Sequence, residues 1–291
     1  RYRDRLPSFN DDIEGTGAVV LAGLLAAERR GGLPLREQVV LVHGAGAGGI
    51  GVARQIAAGM VEQGLSAREA RERIFVIDSR GLILSDRAGL EPYKGEFAHD
   101  PARIAGWELA RAVPSGQRGA FDQTIVSAVD GNCRVPIILA LSNPTDYTEA
   151  VPEDIYRWTD GRAIVATGSP FPDVTWNGVR HPVGQGNNAF IFPGLGLAAV
   201  LARASRVTPR MLNAAAEALA EYVDPNRLSQ GGIYPRTDRL RSASKGVAVA
   251  VLQAAVADGV ARAQLPDGDL AAFVEQNMWK PRYLPLRRRP G

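Results

Sequence analysis

Short apolar runs alternate with longer stretches in which apolar residues recur at helical spacing. The runs rich in valine and isoleucine predict strands at residues 38–43, 74–77, 137–141 and 163–166. About ten to fifteen residues at helical spacing beside such strands are typical of βαβ units. The pattern therefore predicts an α/β protein with a doubly wound parallel sheet.

Helical periodicity also defines the two ends of the chain. Near the start, Thr16 is predicted to cap a helix that continues through residues 19–25. From Thr208 onward the pattern predicts helices, including one over residues 242–257. We expect three segments: a leading segment 1–15, a sheet domain 16–207, and a C-terminal helical extension 208–291 packed on the same domain.

Composition narrows the class of protein. The 291 residues are 45% hydrophobic and 22% charged, and no apolar run is long enough for a bilayer span, so we expect no membrane association. A net charge of +3, spread along the chain apart from an arginine run at 287–289 that is expected to be a solvated tail, disfavours nucleic-acid binding. The single cysteine, Cys133, allows no intrachain disulfide and fits the cytoplasm. Because no signal peptide follows Arg1, translation is expected to begin upstream.

A glycine-rich loop lies between the first predicted strand and a helix predicted at 52–63. Residues 44–51 contain the pattern G-x-G-x-x-G, with glycines at 44, 46 and 49. Gly44 suits the tight turn, Gly46 lets the backbone approach a diphosphate, and Gly49 lets helix and strand pack closely. In this context the motif predicts a Rossmann-type dinucleotide-binding domain.

Asp78 stands at the end of the second predicted strand, where a carboxylate can accept hydrogen bonds from an adenosine ribose. It follows the glycine loop at more than the usual spacing of about 20 residues. The polar stretch 63–72 accounts for the excess as an extended helix and turn. The alternative is an aspartate that merely caps a turn after a strand.

Two further clusters are ambiguous by themselves. The adjacent carboxylates Asp11 and Asp12 either face water or hold a cation. Asn187 and Asn188, in a glycine-flanked loop, are either plain loop residues or donors to a carboxylate substrate. Asn143 and the turn 168–170 follow strands, at the sheet edge where ligands bind in such folds.

Taken together, these motifs resemble malic enzymes, in that family's order and over nearly the whole chain. The matching segments are residues 9–16, 44–51, 78–83, 142–145, 168–171, 184–194 and 278–283.

The resemblance implies oxidation of L-malate by NAD(P)⁺ and decarboxylation to pyruvate with Mg²⁺ or Mn²⁺, the metal acting as Lewis acid. By resemblance, Asp12 is a metal ligand and Asp11 tunes the site. Asn143, Asn187 and Asn188 are implied to bind substrate and the nicotinamide side of the cofactor. The residues implied to contact the dinucleotide are Thr16, Gly44, Gly46, Ala47, Gly48, Gly49, Asp78, Ser79, Lys94, Asn143 and Asn188.

Lys94 bears on the choice of cofactor. It stands at a position where malic enzymes that use NADP resemble one another in carrying a lysine. Ser79, directly after Asp78, is also similar to the sequence pattern of those enzymes. A lysine there would pair with a 2′-phosphate. Asp78 would repel that phosphate, and an exposed lysine is often only solvated. The sequence favours NADP over NAD.

Three departures from the family pattern qualify the prediction. The general base, the general acid and two other carboxylate ligands would precede Arg1. The segment between residues 111 and 121 is too short for the strand and glycine turn expected there. Glu14 replaces a glutamine. We therefore expect the isolated chain to bind dinucleotide without turning over malate.

Two alternatives stay open. One is a malolactic enzyme, which resembles malic enzymes in the same motifs but releases lactate while retaining NAD. Lys94 disfavours such an NAD-only form. A non-catalytic dinucleotide-binding or assembly protein would also fit the departures. Self-association as a dimer or tetramer is expected by resemblance only.

Overall fold

The computed structural model describes residues 6–105, 117–266, 268–281 and 283. Most of the shortened segment 111–121 therefore lies outside the described residues. The same holds for Arg1, for Arg282 of the terminal motif, and for the arginine run 287–289.

Eleven α-helices and eight strands are present in the described part of the chain. In order they are α1 (Thr16–Arg29), β1 (Val40–His43), α2 (Ala47–Glu62), α3 (Ala67–Glu72), β2 (Ile74–Asp78), β3 (Gly81–Leu82), α4 (Pro92–Gly95), α5 (Gln123–Gly131), β4 (Ile137–Ala140), α6 (Pro152–Trp158), β5 (Ile164–Thr167), β6 (Val174–Trp176), β7 (Val179–His181), β8 (Gly184–Gln185), α7 (Phe192–Leu201), α8 (Pro209–Glu221), α9 (Pro225–Ser229), α10 (Leu240–Ala257) and α11 (Leu270–Asn277).

The strands are mainly parallel, which confirms the predicted α/β class. β1 and β2 run parallel, with Val40 opposite Ile74, while the short β3 is antiparallel to β2. β4, β5 and β8 form a second parallel group, and β6 pairs with β7 as a hairpin. Within the ranges described, β1 and β4 are not paired, so the sheet is divided into two groups of three strands. The strand expected between residues 111 and 121 stays a prediction.

The helices provide most of the core. α2 packs on β1 and β2, α1 packs on α2 and α8, and α10 packs on α7 and α8. Tyr234 is fully buried, and its hydroxyl donates a hydrogen bond to the carbonyl of Val19 at 2.8 Å. The C-terminal helices thus share one apolar core with α1 and α2.

Several predicted boundaries need correction. The helix after the glycine loop begins at Ala47 and not at residue 52, since alanine and glycine accept helical dihedral angles. Thr16 is not a cap: Gly15 precedes α1, and the Thr16 hydroxyl instead donates to the Asp11 carbonyl. The stretch 63–72 contains a separate helix, α3, which Ser66 and Glu69 cap reciprocally.

Among the described helices, none combines the length and apolarity that crossing a bilayer requires.

Candidate dinucleotide site

The glycine loop turns at the carboxyl end of β1. Gly44 has a φ of +121°, which favours glycine, and its N–H donates to the Ile77 carbonyl at 2.8 Å. That bond joins the loop to the last residues of β2. Gly44 and Asp78 therefore lie at the same edge of the sheet.

The three motif glycines differ in what surrounds them. A Cβ on Gly49 would lie 1.7 Å from the Gly44 carbonyl oxygen, so only glycine lets α2 pack against the turn. Gly46 is exposed, and a Cβ there would meet nothing within 4 Å. Gly46 is thus not required for packing, and the space beside it is open.

The amino end of α2 presents backbone donors at this opening. The first N–H groups of a helix have no partner within it, and Gly46 supplies no side-chain cap. Ala47 is exposed and Gly48 half-buried. Such a helix end favours an anion through these donors and the helix dipole.

Asp78 is held by an arginine that the sequence analysis did not identify. The Nη1 atom of Arg87 lies 2.7 and 2.8 Å from the two carboxylate oxygens of Asp78, and the N–H of Arg80 donates to Oδ1 at 2.9 Å. The Nη2 atom of Arg87 donates to the Gly81 carbonyl at 3.0 Å. Nothing in the local sequence pattern signals this pairing.

These partners decide the ionisation of Asp78. Burial alone would raise its pKa, but the hydrogen bonds from Arg87 and the Arg80 N–H, together with the Arg87 and Lys94 charges, bring the pKa below its ordinary value. Asp78 is thus an ionised acceptor at neutral pH.

Lys94 does lie beside Asp78. Its Nζ is 3.7 Å from Asp78 Oδ2 and 3.0 Å from a carboxylate oxygen of Glu91. The hydrogen bond to Glu91 is the main cause that raises the pKa of Lys94. Ser79, next to Asp78, is exposed.

The aspartate pair lies against the glycine loop. Residues Asp11–Gly15 form one turn of π-helix, which packs on α2 because Gly51 has no side chain to strike Ile13. A Cβ on Gly48 would lie 3.6 Å from the Asp12 carbonyl oxygen. The packing brings Asp11 and Asp12 next to the helix end.

Asp11 and Asn188 are in direct contact. The Asn188 amide donates to Asp11 Oδ2 at 2.6 Å, whereas Asp11 Oδ1 is buried without a hydrogen-bond partner in the described structure. Burial, then the charge of Asp12, raises the pKa of Asp11, and the bond from Asn188 opposes that shift. Asn187 faces its own loop, accepting from the Ala189 N–H.

The donor set suits a hard divalent cation. Asp12 is exposed, and Asp11 has a buried oxygen for which the described residues provide no hydrogen-bond partner. Carboxylate oxygens are the ligands that Mg²⁺ and Mn²⁺ favour. Over the residues described, however, no three acidic, histidine or cysteine side chains group as a complete metal site.

Asn143 is exposed just beyond β4, at the carboxyl end of its strand as predicted from the sequence. Among the described residues, no hydrogen bond joins its side chain to Asp11, Asn188 or the glycine loop. The two segments approach each other through neighbouring residues. A Cβ on Gly186, directly before Asn187, would lie 2.9 Å from Cδ2 of Leu141, two residues before Asn143. The Asn187–Asn188 loop therefore adjoins the turn that carries Asn143.

One ring contact beside the glycine loop was not predicted from the sequence. The ring of His43, just before Gly44, lies 5.8 Å from the ring of Phe121. Each residue stands at the end of a segment considered in the sequence, but only the folded chain brings the two rings together.

The known proteins to which this chain is similar belong to one family. The family described as "Malic enzyme, NAD binding domain" matches residues 13–256. The NAD-dependent malic enzyme of Edwardsiella ictaluri is 42% identical over 305 residues, covering 99% of this chain and 54% of that protein. The protein of that name from Pseudomonas aeruginosa is also 42% identical, over 306 residues and with the same coverage. The chain spans about half the length of these curated relatives.

Solved structures agree on the fold. A malic enzyme from Pyrococcus horikoshii superposes with a TM-score of 0.72 at 27% identity, over 95% of this chain and 60% of that one. The malic enzyme of Entamoeba histolytica gives the same TM-score at 23% identity, over 93% of this chain and 53% of that one.

Proposed function

Since this chain belongs to the malic enzyme family and spans its NAD-binding domain, we propose that it binds a dinucleotide between the amino end of α2 and Asp78. The observation that carries the proposal is the bond from the Gly44 N–H to the Ile77 carbonyl. It brings Gly44 and Asp78 to the same edge of the sheet, which supports a phosphate-binding turn beside a ribose acceptor. Asp78 accepts from the adenosine ribose, and the N–H groups of Ala47 and Gly48 bind the diphosphate.

The reaction we propose for the whole protein is oxidation of L-malate at C2, followed by loss of CO₂ to give pyruvate. When bound, NAD⁺ would accept the hydride and a divalent metal would polarise the C2 oxygen. Asp12 would supply a carboxylate ligand, and Asp11 lies beside it with one oxygen that has no hydrogen-bond partner among the described residues. Asn143 and Asn188 orient the substrate and the nicotinamide.

For the cofactor we propose NAD in place of the NADP that Lys94 and Ser79 favoured. The relatives in the comparison are named NAD-dependent, which does not support the NADP preference. In addition, the Lys94 ammonium already contacts Asp78 and Glu91, two carboxylates that would repel a 2′-phosphate.

Direct binding separates the two cofactors. In fluorescence titrations the chain should bind NADH about tenfold more tightly than NADPH, roughly 1.4 kcal/mol. Equal affinities, or tighter binding of NADPH, would restore the earlier expectation.

We further propose that these 291 residues alone bind dinucleotide without turning over malate. Asp11 and Asp12 are too few ligands for a Mg²⁺ or Mn²⁺ site. With malate, Mn²⁺ and NAD⁺, we expect no reduced cofactor above background. Formation of NADH at an ordinary enzyme rate would refute this, and lactate as the product would indicate the malolactic alternative. The cytoplasmic localisation of the protein and its self-association stay predictions.

A further inference from the structure

Glu149 is a buried carboxylate in the loop after β4 that the proposed mechanism does not use. Only 6% of its surface is exposed, although glutamate is rarely buried without a partner. No lysine or arginine in the described structure forms an ion pair with it. The partners of Glu149 are therefore hydrogen-bond donors, and the position of these donors indicates what the side chain does.

Both oxygens of Glu149 accept hydrogen bonds from one residue, Ser142. The Ser142 hydroxyl donates to Oε1, and the Ser142 backbone N–H donates to Oε2 at 3.2 Å. A carboxylate that accepts from the main chain and the side chain of one residue restricts both. The next residue in the chain is Asn143, whose side chain is exposed at the sheet edge.

Glu149 is itself attached to the scaffold. Its carbonyl oxygen accepts from the Phe121 N–H at 3.0 Å, and the preceding carbonyl, of Thr148, accepts from the Gly119 N–H at 3.4 Å. The Phe121 ring in turn contacts His43, directly before the glycine turn. Glu149 thus connects the turn after β4 to the segment that packs beside the glycine loop.

We propose that Glu149 is a positioning residue for the nicotinamide end of the dinucleotide. By holding Ser142 at two points, its carboxylate fixes the backbone from which the Asn143 amide reaches the ligand. The inference rests on the proposed function, because Asn143 matters only if a dinucleotide binds at this edge. It assigns no chemical step to Glu149.

If Glu149 only stabilised the loop, its replacement would have a different effect on ligand binding. Its loss would weaken binding of every ligand in proportion to the damage, or would lower stability alone. A positioning role affects only ligands that carry a nicotinamide. Adenosine diphosphate ribose has the diphosphate and both riboses but no nicotinamide, so it distinguishes the two roles.

The experiment compares NADH with adenosine diphosphate ribose on the full 291-residue chain, using calorimetric titration. Glu149→Gln keeps the size of the side chain but leaves only one oxygen to accept from Ser142. Ser142→Ala removes the hydroxyl donor and serves if Glu149→Gln does not fold. Glu153→Gln, at an exposed position of α6, is the matched control.

We expect Glu149→Gln to weaken NADH binding about tenfold and to leave adenosine diphosphate ribose binding within about twofold. The control should bind both ligands like the unaltered chain. Because both substitutions affect one pair, the double variant should lose little more than Glu149→Gln alone.

Equal losses for the two ligands, or no loss of NADH affinity in either variant, would overturn the positioning role while leaving the dinucleotide site intact. Failure of the unaltered chain to bind either ligand would instead overturn the proposed function, and this inference with it.

Discussion

Gly46 and Gly49 belong to one motif but have separable tasks. A side chain on Gly49 would strike the Gly44 carbonyl at 1.7 Å, whereas one on Gly46 would enter open space. Gly49→Ala should therefore lower the free energy of unfolding by about 2 kcal/mol or more. Urea denaturation measures this, and an unchanged midpoint would contradict the packing described for the turn.

Gly46→Ala is the complementary change. Gly46 has a φ of −73°, which alanine also adopts, so stability should fall by no more than about 1 kcal/mol. The added methyl group would occupy the space proposed for the diphosphate. We expect NADH affinity to fall at least about tenfold. A variant that bound NADH normally would mean that the diphosphate lies elsewhere.

The Arg87–Asp78 pair predicts an acid-dependent contribution to stability. Because the pKa of Asp78 is lowered in the folded chain, the pair stabilises the fold above the unfolded value of about 3.9, and this stabilisation is lost as the pH falls through the folded pKa. Arg87→Ala should cost about 2 kcal/mol at pH 7. The cost should shrink toward pH 3.

Urea denaturation of Arg87→Ala between pH 7 and pH 3 tests this prediction. Arg36→Ala, on an exposed pair with Glu37, serves as control and should show no such pH dependence. If the cost of Arg87→Ala stayed constant down to pH 3, the ion pair would not be its source.

At the scale of elements, β1 has one covered and one uncovered face. Val42 is 8% exposed and packs under α2. Leu41, the preceding residue of β1, is 50% exposed. Val42→Ala should cost about 1 to 2 kcal/mol, and Leu41→Thr less than about 0.5 kcal/mol. Thermal or urea unfolding compares them, and a larger loss from Leu41→Thr would mean that this face is covered in solution.

The elements that the sequence predicted well are those fixed by local composition. Runs of valine and isoleucine located β1, β2, β4 and β5 to within a few residues, because apolar β-branched residues favour strands whatever surrounds them. The start of α2 was placed too late, since its first turn consists of small residues with no helical periodicity.

Contacts distant in sequence could not be predicted in this way. Asp78 was identified from its position after a strand, but its partner Arg87 depends on how the chain returns beyond β3. Glu149 likewise shows its role only through Ser142 and Phe121. The Asn188–Asp11 contact joins residues 177 positions apart in the chain, and the motifs named both residues without predicting that they touch.

For the whole molecule, the C-terminal helices and the sheet domain are joined through Tyr234. Its hydroxyl donates to Val19 from a fully buried site. Tyr234→Phe should lower the free energy of unfolding by about 1 kcal/mol and preserve a single transition. Two separated transitions on denaturation would show that the C-terminal helices fold as an independent unit.

The position at which the protein binds a dinucleotide is the central question. A crystal structure of this chain grown with NAD⁺ is the most direct measurement. We predict that the diphosphate lies within hydrogen-bond distance of the backbone N–H groups of Ala47 and Gly48, with the adenosine ribose at the Asp78 carboxylate. A dinucleotide bound away from the edge formed by Gly44 and Asp78 would contradict the account.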